Sequence, residues 1–178
     1  MTEIQPGLDR EGVAAVVCAA LDRHGVRAVL CGGAVVSIYS NNAFESFDLD
    51  FVLPGLSSSV APAMLELGFQ KQGRHWRHAD SRYWVEFPPG PVQVGDSIVR
   101  DFTTRVTAGG TLRLLAPTEC VMDRLAGFFH WNDPQCLEQA VAVARAQEID
   151  LDRIRARCKR ERVEARLAEF TARLDREP

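Results

Sequence analysis

The stretch VLCGGAVVSIYSNNAFESFDLDFV, residues 29–52, decides the fold because it holds two strand patterns joined through a glycine pair. Val26–Cys31 is a short apolar run, which predicts a buried strand that ends at Gly32-Gly33. Ala34–Tyr39 predicts a helix directly after the glycines. Phe47–Leu53 alternates apolar and acidic residues, which predicts a second strand with one buried face.

Two carboxylates stand out in the second strand. Asp48 and Asp50 are two apart, so their side chains project from one face while Leu49 and Phe51 point into a core. Like charges side by side on a half-buried strand repel each other and favour a neighbouring cation. Mg²⁺ prefers carboxylate oxygens together with substrate phosphates. The alternative is a solvent-facing edge strand whose charges prevent pairing with another chain.

The glycine pair also has two interpretations. A strand that ends in Gly32-Gly33 and opens into a helix presents bare backbone N–H groups, to which phosphate can approach closely. The alternative is a tight strand-to-helix turn that needs a positive φ and binds no ligand.

A third carboxylate, Glu86, lies in the next convincing strand between the apolar residues Val85 and Phe87. Such a residue suits the open face of the same sheet. There it would complete a two-metal site, in which one ion activates the attacking oxygen and the other steadies the leaving group. The alternative is an ordinary exposed strand glutamate.

The rest of the pattern predicts an α/β (α+β) core over residues 1–115, followed by a helical C-terminal region over residues 116–178. Further helices are predicted at Leu8–His24, Ser59–Leu67, Pro117–Phe129, Pro134–Gln147 and Leu151–Arg173. Further strands are predicted at Arg74–Arg77, Tyr83–Phe87 and Val92–Val99. Thr111–Leu115 predicts one more short strand or, alternatively, the linker into the helical region.

The amino-acid composition argues against several classes of protein. With 46% hydrophobic and 25% charged residues, the chain has the make-up of a folded protein rather than a disordered one. A net charge of -3 argues against nucleic-acid binding through bulk charge, although local patches can still steer a ligand. No apolar stretch reaches the roughly 20 residues that span a bilayer. Five scattered cysteines without a C-x-x-C pair indicate reduced thiols and predict a cytoplasmic protein.

Basic residues are concentrated in two places. Arg74, Arg77 and Arg82 share a short segment with Trp76, Tyr83 and Trp84, where arginines could hold a triphosphate and a ring could stack on a base. The alternative is solvated loop charges beside core aromatics. His75 and His78 in the same segment do not predict zinc, because no cysteine or further histidine lies nearby.

The second concentration is the helical segment Arg153–Arg166, which holds seven basic residues against two acids. Such a strip can bind the phosphates of an RNA acceptor, and the alternative is a solvated helical face.

In order and spacing, these motifs resemble the DNA polymerase beta-like nucleotidyltransferase superfamily. The resemblance rests on Val29–Gly33, on Asp48–Phe51 and on Glu86, and it covers roughly residues 26–130. Within that superfamily the chain is most similar to small bacterial nucleotidyltransferases of the abortive-infection and toxin–antitoxin type. That likeness includes Val85–Pro88 and Leu114–Glu119. The resemblance implies a nucleotidyltransferase fold with a mixed sheet flanked by helices.

The resemblance also implies an activity, namely transfer of a nucleoside monophosphate from a nucleoside triphosphate to a hydroxyl of an RNA, such as tRNA, or of a protein. Gly32 and Gly33 would cradle the triphosphate, Asp48 and Asp50 would hold Mg²⁺ or Mn²⁺, and Glu86 would be the third ligand or activate the acceptor. It further implies a toxin or defence role, with a cognate partner protein.

A second hypothesis is a catalytically inactive nucleotidyltransferase fold that binds nucleotides or proteins. Glu45 favours it, because relatives often carry a basic residue just before the acidic pair.

Overall fold

The computed structural model describes residues 3–53, 59–94 and 97–176 of the chain. Its helices are α1 (Arg10–Arg23), α2 (Gly32–Tyr39), α3 (Ala61–Glu66), α4 (Pro117–Trp131), α5 (Pro134–Ala146), α6 (Leu151–Glu161) and α7 (Glu164–Leu174). Its strands are β1 (Val29–Cys31), β2 (Asp48–Val52), β3 (Gln70–Gln72), β4 (His75–Arg77), β5 (Trp84–Glu86), β6 (Gln93–Val94), β7 (Ser97–Ile98), β8 (Phe102–Thr107) and β9 (Gly110–Leu115).

One mixed sheet organises the fold, with the strand order β3-β4-β5-β2-β1-β9-β8. The pairs β1–β9 and β2–β5 are parallel, and the other neighbours in this sheet are antiparallel. Strands β6 and β7 form a separate two-stranded ribbon. The predicted α/β (α+β) class, with a mixed sheet followed by C-terminal helices, is therefore confirmed.

The alternation in β2 separates a core face from an open face. Leu49 and Phe51 are fully buried, while Asp48, Asp50 and Val52 are half-buried. Strand β2 lies inside the sheet between β1 and β5, and Leu49 and Phe51 on its apolar face belong to the hydrophobic core. The edge-strand alternative for the two aspartates is therefore wrong, since β2 has a hydrogen-bonded neighbour on each side.

The C-terminal helices pack onto the same core as the sheet. Helices α4 and α5 contact each other and both contact α2. The Tyr39 hydroxyl donates to the Leu115 carbonyl at 2.7 Å, and the Gln147 side-chain amide donates to the Tyr39 carbonyl at 2.9 Å. The helical region therefore packs against α2, and α2 in turn is hydrogen-bonded to the end of β9.

Several predicted boundaries are wrong. Helix α2 begins at Gly32 rather than at Ala34, so the glycine pair forms its first turn. The predicted strand Val92–Val99 contains two short strands, with residues 95–96 outside the described residues. Strands β3 and β8 were not predicted, since their segments are too polar to show a clear apolar alternation.

The predicted helix Leu151–Arg173 is also wrong, because the chain turns at Arg162 with φ 59°. The Val163 N–H closes α6 by donating to the Cys158 carbonyl at 3.0 Å. The turn lets α7 pack against α5 and bury Leu167 and Phe170. Neither glycine nor proline marks this break, so burial of an apolar stripe overrides local propensity here.

Candidate metal and triphosphate site

The three predicted carboxylates share one face of the sheet. Parallel pairing of β2 with β5 places Asp48 opposite Trp84 and Asp50 opposite Glu86. Leu49 pairs with Val85, and both are fully buried on the other face. Since register partners on parallel strands point to the same side, Asp48, Asp50 and Glu86 project together from the open face.

The three side chains whose ligand atoms lie closest together are not the three that the sequence predicted. Among the described residues, Asp48, His75 and Glu86 form the group of metal-ligating side chains whose ligand atoms all lie within 4.8 Å of one another. Glu86 Oε1 lies 2.6 Å from His75 Nδ1 and 3.2 Å from Arg74 Nε. The structure thus brings Asp48 and Glu86 together and adds a histidine, while Asp50 lies beside them.

His75 was not predicted as a functional residue, although the pattern held a signal for it. Trp76 is buried and pairs with Val85 in the antiparallel β4–β5 pair. Strand alternation therefore turns His75 and Arg77 to the face that carries Glu86. The buried tryptophan predicts which face of β4 carries His75, and the pairing of β4 with β5 then brings the histidine to the acids.

Asp50 packs against the glycine pair. Gly32 has φ +70°, and a Cβ there would lie 2.6 Å from Asp50 Oδ2. At Gly33, where φ is not in the left-handed region, a Cβ would lie 3.0 Å from the Ser46 hydroxyl oxygen. Glycine at 32 is thus needed both for the turn and for the close approach of a carboxylate. These two needs account for Gly32 without a ligand, so phosphate binding there stays a prediction.

The start of α2 lacks a side-chain cap. Its N-cap residue Cys31 makes no capping hydrogen bond, and its first turn carries no acidic residue. The first N–H groups of a helix have no intrahelical partner and favour a nearby anion. The N-terminus of α2, which lies beside Asp50, is accordingly suited to a metal-bound phosphate.

Burial and neighbouring charges raise the pKa of both Asp48 and Asp50. Burial first, and then the Asp48 and Glu86 carboxylates, raise the pKa of Asp50 from 3.8 to about 6. Burial and then Glu86 raise the pKa of Asp48, against the opposing effect of His75. A cation between these groups would offset both the cost of burying the two carboxylates and their mutual repulsion.

Replacing Asp50 with asparagine is expected to stabilise the metal-free protein at pH 8. A raised folded-state pKa means that the folded protein binds this proton more tightly than the unfolded chain does, so Asp50 lowers stability above pH 6 and this effect disappears as pH falls toward 3.8. Discounted for partial solvent screening, the gain in unfolding free energy at pH 8 is about 1–2 kcal/mol. Chemical denaturation at several pH values measures it.

The matched control for that experiment is Asp80→Asn. Asp80 is exposed and lies in the loop between β4 and β5, outside the strand face that carries Asp48, Asp50 and Glu86, which we call the acidic face. We expect Asp80→Asn to cause no increase in the free energy of unfolding at pH 8 or at pH 4.5. A gain for Asp50→Asn that is as large at pH 4.5 as at pH 8 would contradict the origin assigned to it.

The three predicted arginines divide into two positions. Arg74 contacts Glu86, and the Arg77 guanidinium lies 4.2 Å from the centre of the Trp84 ring, so both lie beside the acids. Arg82 occupies the second position, where it donates to the Tyr83 hydroxyl at 2.8 Å and lies 3.7 Å from Glu45. The Phe47 ring links the two positions by stacking on Trp84 and Tyr83.

A cleft of about 340 Å³ lies beside Asp50 and Gly32. Its far wall includes Asp123 and Arg124 from α4. The Arg124 Nε donates to Asp123 Oδ2 at 3.0 Å, and its charge opposes the upward shift of the Asp50 pKa. Sequence reasoning did not single out Arg124, since no local pattern links a helix of the C-terminal region to β2.

The basic strip on α6 is largely engaged within the protein. Arg157 is buried, and it donates to Glu161 Oε1 at 2.8 Å and to the Val94 carbonyl. Arg153 pairs with Asp101 at 3.0 Å and also with Glu119. These arginines hold α6 against the rest of the fold, and an RNA-binding role for the strip stays a prediction.

Comparisons of the chain with protein-family models, with curated proteins and with solved structures return no match. Within the described ranges, no helix combines the length and apolar character needed to cross a membrane. The case for a function therefore rests on the geometry of the acidic face.

Proposed function

We propose that the chain is a metal-dependent nucleotidyltransferase that moves a nucleoside monophosphate from a nucleoside triphosphate to an RNA or protein hydroxyl. One observation carries the proposal. Asp48, Asp50 and Glu86 share a face on paired strands, and the Asp50 carboxylate lies against Gly32 at the start of α2. The uncapped end of α2 suits a triphosphate next to those carboxylates.

The residues fit a divalent metal on an observation independent of any resemblance. Asp48 Oδ1 is buried and has no hydrogen-bond partner, which is costly for a carboxylate oxygen unless a cation is nearby. Asp48, Asp50 and Glu86 would hold Mg²⁺ or Mn²⁺. Such ions neutralise the triphosphate and polarise the reacting phosphate.

Each group has a role in the proposed reaction. The acceptor oxygen bonds to the α-phosphorus, the bond to pyrophosphate breaks, and Glu86 accepts the acceptor proton. Gly32 and Gly33 present their backbone N–H groups to the triphosphate. The Arg77 guanidinium packs over the Trp84 ring, and Trp84 is the register partner of Asp48. This combination of a positive charge and an aromatic ring suits a nucleotide base or phosphate next to Asp48.

The setting of the enzyme is part of the proposal. Five cysteines with free thiols, Cys18, Cys31, Cys120, Cys136 and Cys158, support a reducing cytoplasm. A toxin or defence role with a cognate partner protein is proposed from the motif resemblance alone.

A second candidate is a catalytically inactive fold that binds nucleotides or proteins. The observation that favours it is the engagement of Glu86 by His75 and Arg74, because these contacts occupy the carboxylate that would accept the acceptor proton. The acid Glu45 before the aspartates adds to it, although Arg82 lies 3.7 Å from Glu45 and supplies a basic group at that place.

Label transfer tests the proposal and separates the two candidates. The protein is incubated with each α-labelled nucleoside triphosphate, Mg²⁺ or Mn²⁺, and either total RNA or lysate protein. We expect covalent label in one acceptor pool, dependent on metal. Triphosphate binding without transfer to either pool would favour the inactive candidate, and absence of both would sink the proposal.

A further inference from the structure

We infer that Asp48, His75 and Glu86 form a transition-metal site in which His75 supplies a nitrogen ligand. The ion is of the Mn²⁺ to Zn²⁺ series and is bound more tightly than Mg²⁺. The inference deepens the proposed function, on which its catalytic role rests, whereas binding of the metal can be measured without any transfer. The ligand atoms come from three strands that are neighbours in one sheet, in the order β4, β5 and β2.

Two of the three residues present orphaned polar atoms. Asp48 Oδ1 and His75 Nδ1 are both buried, and neither has a hydrogen-bond partner. Buried polar atoms in folded proteins are nearly always satisfied, so two such atoms in one group of ligands need an explanation. Arg74 Nε donates to His75 Nε2 at 3.4 Å, so a cation on Nδ1 requires this contact to open and the imidazole proton to move to Nε2. The cation then satisfies the carboxylate oxygen and the imidazole nitrogen together.

The approach of His75 to Glu86 is close but is not aligned as a hydrogen bond. Nδ1 lies 2.6 Å from Glu86 Oε1, yet that nitrogen makes no hydrogen bond. The other histidine–glutamate pair differs, because His24 Nε2 and Glu66 Oε2 lie 2.6 Å apart with hydrogen-bond geometry. Two ligand atoms that lie close without pointing at each other are suited to share a third partner.

The spacing between His75 and Glu86 needs little adjustment for both residues to bind one ion. Neighbouring ligands at about 2.1 Å from one ion lie roughly 3.0–3.4 Å apart, depending on the coordination geometry. His75 Nδ1 and Glu86 Oε1 must therefore separate by less than about 1 Å from their 2.6 Å contact. Arg74 also contacts Glu86, and because 79% of its side chain is exposed it can turn into solvent.

The donor set selects the class of metal. Carboxylates suit Mg²⁺, Mn²⁺ and Zn²⁺, whereas an imidazole nitrogen favours later ions of the transition series over Mg²⁺. Two carboxylates and one imidazole from a half-buried face therefore favour a transition ion. Open coordination positions would remain for water or a phosphate oxygen.

Mn²⁺ binding followed by pulsed electron paramagnetic resonance tests the site in the metal-free full chain. We expect one bound Mn²⁺ with a coupling to a directly bound imidazole nitrogen. In His75→Gln this coupling should vanish and Mn²⁺ affinity should fall at least about tenfold, since even outer partners of metal ligands are worth about 10–100-fold. Affinity for Mg²⁺ should change less, because the lost nitrogen contributes little to a hard ion.

The control is His78→Gln, because His78 lies in the same segment but packs against Phe69 instead of the acids. It should keep both the coupling and the affinity. Wild-type protein without Mn²⁺ binding, or with a coupling that survives in His75→Gln, would overturn the site. Nitrogen-coupled Mn²⁺ without label transfer would retain the site and remove the proposed function, and transfer with Mg²⁺ but no coupling would do the reverse.

Discussion

Replacing Asp48 with asparagine is expected to lower label transfer by about 10²–10³-fold, the loss typical when one preorganised charge-stabilising group is removed. Asp48 lies on the same face as Glu86 and His75, and its Oδ1 is buried without a hydrogen-bond partner. Asparagine keeps the shape of the side chain but lacks the charge that holds a divalent ion. The initial rate of label transfer at saturating metal and triphosphate measures the loss.

Thermal unfolding separates this loss of activity from misfolding. Because burial and Glu86 raise the pKa of Asp48, removing its charge should leave the unfolding midpoint at pH 8 equal to that of wild type or higher. Asp80→Asn serves as the exposed control and should transfer label at the wild-type rate. Wild-type transfer by a folded Asp48→Asn protein would remove Asp48 from the reaction.

Replacing Gly32 with alanine is expected to damage both the fold and the site. A non-glycine residue with φ near +70° costs about 1–2 kcal/mol, and crowding in a packed region costs about 1–3 kcal/mol more. The crowding arises because the new Cβ would lie 2.6 Å from Asp50 Oδ2. If the Asp50 carboxylate moves aside to relieve it, the free energy of unfolding falls less but the metal site is still displaced.

Gly25→Ala is the matched control. Gly25 has φ +71°, nearly the angle of Gly32, and a Cβ there meets nothing within 4 Å. Both substitutions carry the backbone cost, and Gly32→Ala alone carries the contact with Asp50. Chemical denaturation should place Gly32→Ala below Gly25→Ala in stability, and label transfer should persist in Gly25→Ala only. Equal effects of both substitutions would show that the Gly32–Asp50 contact has no functional role.

The elements around the site were the most predictable part of the fold. The apolar run before Gly32 and the acidic alternation around Asp48 gave β1 and β2 because burial of one sheet face imposes a period of two on the sequence. The face shared by Asp48, Asp50 and Glu86 then depended on register alone. Register cannot be read from spacing within one strand, and here it follows from the parallel pairing of β2 with β5.

Two features needed the three-dimensional arrangement. His75 lies beside Asp48 and Glu86 because β4 pairs with β5. The sequence around His75 does not predict that Asp48 is its neighbour. Arg162 ends α6 without glycine or proline, because burial of Leu167 and Phe170 on α7 outweighs the preference for one continuous helix. Both outcomes depend on contacts distant in sequence, which local patterns do not encode.

The central claim is that the acidic face and the start of α2 form one site for a metal-bound triphosphate. Calorimetric titration of a nucleoside triphosphate with Mg²⁺ or Mn²⁺ tests it most directly, using wild type and the double variant Asp48→Asn, Asp50→Asn. We predict that wild type binds the triphosphate only with metal and that the double variant, still folded, loses this binding. Failure of wild type to bind any triphosphate with metal, or equal binding by the double variant, would contradict the claim.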